Sequence, residues 1–294
     1  MILLDGKYLS ELIKEELKKE LLEITAKGNR KPHLSAILVG ENSASITYVN
    51  NKIKSCDQIG FDHSLYKYED SISEETLLNK INEINQNQDI DGLLVQLPLP
   101  LHISVDKVIE TISQDKDVDG FHPVNIGKMV KNIPSFIPAT PKGILELIKH
   151  YKIETSGKNC VVIGRSQIVG TPMSILMGRK DYPGDATVTL VHSHTKNMKE
   201  ICLKADIIIA AIGHPYYITA DMVKEDAVVI DVGMNSIPDA TKKSGSRLVG
   251  DVDFPNVSLK CSYITPVPGG VGLLTIAALM QNTMISYKKR VKVP

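Results

Sequence analysis

Chemistry in this chain concentrates in a glycine-bearing loop and in a few polar side chains well upstream of it. The loop is Gly164-Arg-Ser-Gln-Ile-Val-Gly170, entered from the apolar run 160–163 and left through Thr171 and Pro172. Strand, glycine turn and helix start in that order make a phosphate-binding βα unit. Glycine lets backbone approach an anion, and a helix N-terminus offers unpaired N–H groups and the positive end of its dipole. Pro172 suits a first helical turn, where its missing N–H is no loss. Ser166 stands where the second glycine of G-x-G-x-x-G falls, so the loop taken alone also reads as a tight structural turn. An NAD site closes the next strand with an acid for the ribose hydroxyls. Here the strand 187–191 runs instead into His192-Ser-His-Thr195. The missing acid, together with Arg165 placed to meet a phosphate, points to NADP. His192 and His194 lack nearby acidic or cysteine partners, which makes the segment a donor-rich loop rather than a metal set. His194 can carry partial positive charge beside a phosphate.

Upstream, Tyr48 and Lys52 lie four apart on an expected helix and so share a face. The bland reading is an exposed aromatic–lysine pair; the functional one needs Lys52 desolvated, so that it can pass protons near neutrality. Gln96 is the polar member of the apolar strand 92–97, near the carboxyl end where open α/β sheets place ligands. Its amide can orient a ring or tie a loop. Asp119, in Asp117-Val-Asp-Gly120, can take two N–H groups of a heterocycle or form a turn before glycine.

The elements that must hold these residues alternate. A helix reads over 7–27, a strand over 34–39, and a helix from a Ser43 cap to about 59. A strand follows at 63–68, a helix at 73–87, the strand at 92–97 and a short helix at 104–112. After the proline-punctuated stretch 133–141 come a helix at 142–151 and strands at 160–163, 187–191, 207–211, 228–232 and 248–249. Tyr263-Ile-Thr-Pro-Val-Pro-Gly-Gly-Val-Gly272 is a second rigid loop before a last helix. This alternation predicts parallel sheets of α/β type.

The chain has 294 residues, enough for two domains, with 43% hydrophobic and 23% charged residues, the balance of a globular protein. Lys+Arg and Asp+Glu are both 34, so nucleic acid and anionic membrane are not favoured partners. The Lys288-Lys-Arg290 run reads as a solvated tail. Four scattered cysteines predict free thiols in a reducing compartment. No signal peptide or membrane-length apolar run is evident, so the expected location is cytoplasmic.

Five motifs occur in register: Tyr48-Val-x-x-Lys52-x-Lys54, Val95-Gln-Leu-Pro-Leu-Pro100, Asp115-Lys-Asp-Val-Asp-Gly120, Gly164-Arg-Ser-x-x-Val-Gly-x-Pro172 and Pro266-Val-Pro-Gly-Gly-Val-Gly272. Together they closely resemble the bifunctional methylenetetrahydrofolate dehydrogenase/methenyltetrahydrofolate cyclohydrolase family, across essentially the whole chain. The resemblance implies two α/β domains. One, residues 1–138 completed by a C-terminal helix over 273–294, binds folate. The other, residues 139–272, is Rossmann-like and binds NADP. It implies oxidation of 5,10-methylenetetrahydrofolate to the methenyl cation and hydrolysis to 10-formyltetrahydrofolate, with Lys52 as general acid/base and Gln96 tuning it. Tyr48 would stack on the folate and Asp119 hold the pterin. Gly164, Arg165, Ser166 and Ser193 would take cofactor phosphates and ribose, with Met234 and Thr275 near the nicotinamide. Pro268 and Gly269 would line the substrate cleft. No metal is implied, and members are homodimers joined through their nucleotide domains. Three departures stand out: His194 where the family has Arg or Lys, Leu273-Leu274 where it has Pro-Met, and a longer 177–185 connection. The residues leave open a monofunctional or NAD-preferring dehydrogenase, and a non-enzymatic NADP-binding module that could dispense with Lys52 and Gln96.

Overall fold

Capping and burial set the element boundaries in the computed structural model, which describes residues 1–242 and 245–291. In chain order the elements begin β1 (Ile2–Leu3), α1 (Gly6–Ala26), β2 (His33–Val39), α2 (Ser43–Ile59) and β3 (Asp62–Tyr68). Then come α3 (Glu74–Gln86), β4 (Gly92–Val95), α4 (Val105–Thr111) and α5 (Pro123–Val130). The chain continues through α6 (Ala139–His150), β5 (Asn159–Ile163), α7 (Gly170–Gly178), β6 (Thr187–Val191), α8 (Met198–Cys202) and β7 (Ile207–Ala210). It closes with β8 (Val228–Asp231), β9 (Asn235–Pro238), β10 (Ser246–Val249), α9 (Phe254–Val257), β11 (Tyr263–Ile264) and α10 (Val271–Val291).

Local chemistry explains these limits. The cap of α2 is Asn42, whose side-chain oxygen accepts from Ser45 N at 3.0 Å, and not Ser43. An Asx oxygen there satisfies one of the helix's orphan donors, worth about 1 kcal/mol. Gly60 ends α2 at φ 98°, its N–H returning to Cys56 O at 2.8 Å. Ser73 caps α3, and Glu74 and Glu75 favour the positive end of its dipole. The strand expected over 92–97 stops at Val95, leaving Gln96 just beyond it, although Gln96 N still donates to Ile37 O at 2.9 Å.

The chain divides into two compact units: Met1–Ser10 with Thr140–Thr275, and Glu11–Ala139 with Ile276–Pro294. Sequence had grouped residues 1–138. The first ten group instead with the later residues because β1 pairs with β11, Ile2 opposite Tyr263. The first unit carries a six-stranded sheet, β1-β11-β8-β7-β5-β6, parallel throughout, and a β9–β10 antiparallel hairpin. Strands β6 and β7 flank β5 on opposite sides, so the order reverses there and a crevice opens at the carboxyl end of β5. Its core packs Val161, Ile163, Ile208 and Val229 with Val257 and Ile264.

The second unit carries a parallel sheet β3-β2-β4, with the same reversal at β2. Its core packs Ile37, Val39, Leu93 and Val95 against Leu77, Ile81 and Val108. Helix α10 is sewn into this unit by polar side chains. Asn282 Nδ2 donates to Val118 O at 2.8 Å, and Tyr287 Oη to Arg30 O at 2.7 Å. The Lys288-Lys-Arg290 run is no solvated tail: Lys288 pairs with Glu20, Lys289 lies over the Phe136 ring, and Arg290 donates to Gln88 O. Long cationic side chains reach outward partners while their stems cover the helix. Residues 292–294 of the expected last helix lie outside the described residues. No described helix is long and apolar enough to cross a membrane.

Candidate active site

In the unit built on β3-β2-β4, the reactive residues gather at the carboxyl ends of the strands. Tyr48 and Lys52 project from α2, the helix that follows β2. Lys52 is only 6% exposed, and its Nζ donates to Gln96 Oε1 at 3.1 Å. Gln96 is fixed in turn: its Nε2 donates to Leu97 O at 2.7 Å. That bond turns the amide oxygen toward Lys52 Nζ, so a neutral acceptor meets a buried amine. Tyr48 is half-buried one turn from Lys52, and burial raises its phenol above the ordinary value. Asp119 lines a small pocket with Val95 and Leu97, the two neighbours of Gln96. The site thus combines a buried amine, an amide that orients it, an aromatic surface and a carboxylate. That is a set suited to a flat nitrogen heterocycle and a proton transfer.

A turn on Asp117 holds Asp119 in place. The Asp117 carboxylate accepts from Gly120 N and Phe121 N at 3.1 Å, and from His122 N and Asn125 Nδ2 at 2.8 Å. Burial nevertheless pushes this acid up to about 6, against the pull of its donors. His122 then caps α5, its Nδ1 accepting from Val124 N at 3.1 Å.

In the other unit, the glycine loop leaves β5 at the sheet's reversal. Gly164 has φ 113°, and a methyl there would overlap Ala211 O. A methyl on Gly170 would overlap Gly164 O. Only glycine permits both approaches, and the loop closes tightly enough for its backbone to meet a phosphate. Arg165 and Ser166 are exposed on it. Ser166 Oγ accepts from Val169 N at 3.2 Å and Gly170 N at 3.4 Å, so its hydroxyl also caps the entry to α7. After β6, His192 N donates to Thr195 Oγ1 at 2.9 Å, and His194 N donates to His192 Nδ1 at 3.2 Å. Desolvation lowers the His192 pKa, with Arg165 and His194 adding to the effect. Ser193 and His194 are exposed beside them. Met234 lies exposed after β8. Thr275 Oγ1 lies 3.0 Å from Thr140 Oγ1, and Pro268 is exposed beside Gly269, whose φ is 107°.

The pattern of the family "Tetrahydrofolate dehydrogenase/cyclohydrolase" fits this sequence twice, its catalytic domain over residues 4–119 and its NAD(P)-binding domain over 138–291. The chain belongs to this family. The Bifunctional protein FolD of Cytophaga hutchinsonii is 61% identical over 284 residues, 97% of this chain and 98% of that one. Among solved structures, the FolD methylenetetrahydrofolate dehydrogenase/cyclohydrolase of Campylobacter jejuni superposes with TM-score 0.93 at 46% identity, covering 99% of each chain. The FolD of Trypanosoma brucei, solved with NADP cofactor and inhibitor, gives TM-score 0.95 at 35% identity, again covering 99% of each.

Within this dehydrogenase/cyclohydrolase the structure joins Lys52 to Gln96 directly and sets Asp119 beside the same strand end. It places the Gly164 loop and the 192–194 segment on adjacent strands β5 and β6. Sequence reasoning missed Asp117 as the builder of the Asp119 turn. A carboxylate two positions before Asp-Gly was the available signal. It also missed Asp231 and Asp251, which are buried at 3% and 0% exposure. Apart from Gly233, which donates to Asp231, their partners are distant in sequence, so no local pattern reveals the pair.

Proposed function

We propose that the chain oxidises 5,10-methylenetetrahydrofolate with NADP to 5,10-methenyltetrahydrofolate and hydrolyses that cation to 10-formyltetrahydrofolate. The observation carrying this reading is Lys52, buried and bonded to a fixed Gln96 amide at the end of β4. The unit of Glu11–Ala139 with α10 from Ile276 onward takes the folate, and the unit of Met1–Ser10 with Thr140–Thr275 takes NADP. Tyr48 stacks on the folate ring, Asp119 holds the pterin N–H groups, and Pro268 and Gly269 contact substrate. The closely approaching glycine backbone at Gly164, with Arg165, Ser166 and Ser193, fits a dinucleotide's phosphates and ribose. Met234 and Thr275 lie toward its nicotinamide.

NADP supplies the hydride acceptor. Loss of hydride from the methylene carbon leaves a cation spread over N5 and N10, so this step needs no general base and depends on positioning. Hydrolysis is more demanding. Water adds to the methenyl carbon and gives up a proton, N5 takes a proton as its bond to that carbon breaks, and the remaining hydroxyl gives up its proton as the C=O of the formyl group forms on N10. Lys52 accepts and returns the proton in this sequence, and Gln96 keeps its Nζ in line. One proton is released overall. NADP is preferred over NAD because no carboxylate ends β6, where a diol-binding acid would repel a 2′-phosphate.

The functional unit is a homodimer formed through the nucleotide-binding units. Edge strand β6, with Leu190 38% exposed, and Leu248 of the β9–β10 hairpin, 44% exposed, support this. The setting is cytoplasmic, in keeping with four free, buried cysteines. An absorbance assay with methylenetetrahydrofolate and each cofactor tests the function. Methenyl formation faster with NADP, followed by its decay above the buffer rate, is expected. Formation without enzymatic decay would reduce the chain to a dehydrogenase, and no formation would overturn the reading.

A further inference from the structure

Two buried acids that the proposed roles leave unused meet beside the carboxyl ends of β7 and β8, Asp231 at the end of β8 and Asp251 two residues after β10. Asp231, the last residue of β8, accepts through Oδ1 from Gly233 N and Asp251 N, both at 2.9 Å, and through Oδ2 from Val252 N at 3.0 Å. Asp251 accepts through Oδ2 from Ile212 N at 2.8 Å and Gly213 N at 2.9 Å, and through Oδ1 from Asn235 Nδ2 at 2.8 Å. Among the described residues no cation pairs with either acid; the donors are backbone N–H groups and one amide. Space is reserved for them too: a methyl on Gly233 would overlap Asp251, and one on Gly250 would overlap Asp231. Two desolvated carboxylates without a counter-ion are a costly way to tie loops for stability alone.

What they tie is informative. Asp251 holds the 212–213 loop after β7, and the two acids together hold Gly233 and Asn235, the residues on either side of Met234. The phosphate loop follows β5, and the 192–194 segment that would meet the adenosine ribose follows β6 on one side of it. The nicotinamide end must therefore extend the other way, over the loops after β7 and β8. Those are the loops the acids hold.

We infer that Asp251, seated by Asp231, is a positioning residue for hydride transfer, fixing the 212–213 loop and Asn235 so that the nicotinamide is held in register for the transfer. This rests on the dehydrogenase reading above. The test uses Asp251→Asn in the full chain, which keeps the shape but turns an NH2 toward groups that need an acceptor. Dehydrogenase kcat/KM for NADP should fall about 100-fold, the scale of a misplaced reactant. The deuterium isotope effect on kcat should rise when the transferred hydrogen is deuterium, because chemistry becomes slower than release. Hydrolysis of methenyltetrahydrofolate, assayed without NADP, should stay within about twofold.

Equal loss of both activities would make the acid merely structural, and an unchanged dehydrogenase would remove its role; either overturns the inference. If Asp251→Asn does not fold, Asn235→Ala decides. It removes one hydrogen bond from a half-buried residue, keeps both acids, and should lower the dehydrogenase about tenfold with hydrolysis intact. An unchanged dehydrogenase in that variant overturns the inference as well. Wild-type protein that cannot reduce NADP would sink the functional reading, and this one with it. Active wild type with unaffected variants would sink only the role of Asp251.

Discussion

Lys52 illustrates how one side chain's surroundings decide its use. On an exposed helix face a Tyr–Lys pair four residues apart would be ordinary surface. Here Lys52 is 6% exposed, and its partner is a neutral amide oxygen rather than a carboxylate. A carboxylate would set a counter-charge beside the amine, whereas the amide orients Nζ without one. His194 belongs to the same scale. It is exposed beside His192 and Arg165, a group of donors with no acid ending β6. His194→Arg should raise the ratio of kcat/KM for NADP over NAD about tenfold, the worth of one charge-assisted contact to phosphate. An equal change for both cofactors would show that the residue does not sense the 2′-phosphate.

At the scale of elements, turns and loops carry more than the strands do. The Asp117 carboxylate collects four N–H donors and so shapes the segment bearing Asp119. Asp117→Asn turns an NH2 toward those donors and should cost about 3 kcal/mol in urea unfolding, since charged hydrogen bonds are lost and buried N–H groups orphaned. A cost under about 0.5 kcal/mol would mean the turn holds itself. Much of this level was legible in the sequence. Eight of the strands, β2 to β8 and β10, lie within two residues of the expected ranges, because short β-rich runs bounded by turn residues mark strands. The glycine loop was legible because only glycine permits its close approaches. Helix α5 was not: it is short, contains Gly127 and starts from a histidine cap. Strands β1 and β11 are two residues each and exist only as partners in the sheet. The Asp231–Asp251 pair is invisible for a similar reason, because topology and not spacing brings it together.

For the whole molecule, buried ionisable groups set how stability varies with pH. Lys116 is 1% exposed, with Nζ donating to Ile84 O at 2.7 Å and Asn87 O at 2.5 Å at the end of α3. Burial, with Arg290 nearby, pushes its ammonium down from 10.5 to about 8. The folded chain therefore binds fewer protons than the unfolded one between those values, and stability gained there is lost as pH falls through about 8. Thermal melts should show wild type gaining on Lys116→Met as pH rises from 8 to 10.5; parallel curves would contradict this. Asp117 and Asp231 act in the opposite sense. Burial raises both from 3.8 to about 6, so their contribution is full below 3.8 and lost as pH rises through about 6.

The proposed function divides the chemistry between the two units, with proton transfer in one and dinucleotide binding in the other, so a single substitution should separate them. Lys52→Met is the most direct measurement, with hydrolysis of methenyltetrahydrofolate followed by absorbance and NADP affinity by fluorescence titration on the same preparation. Hydrolysis should fall about 1000-fold, toward the buffer rate, as loss of the proton-transfer group requires. NADP affinity should stay within about twofold of wild type. Hydrolysis at the wild-type rate would contradict the account at its centre.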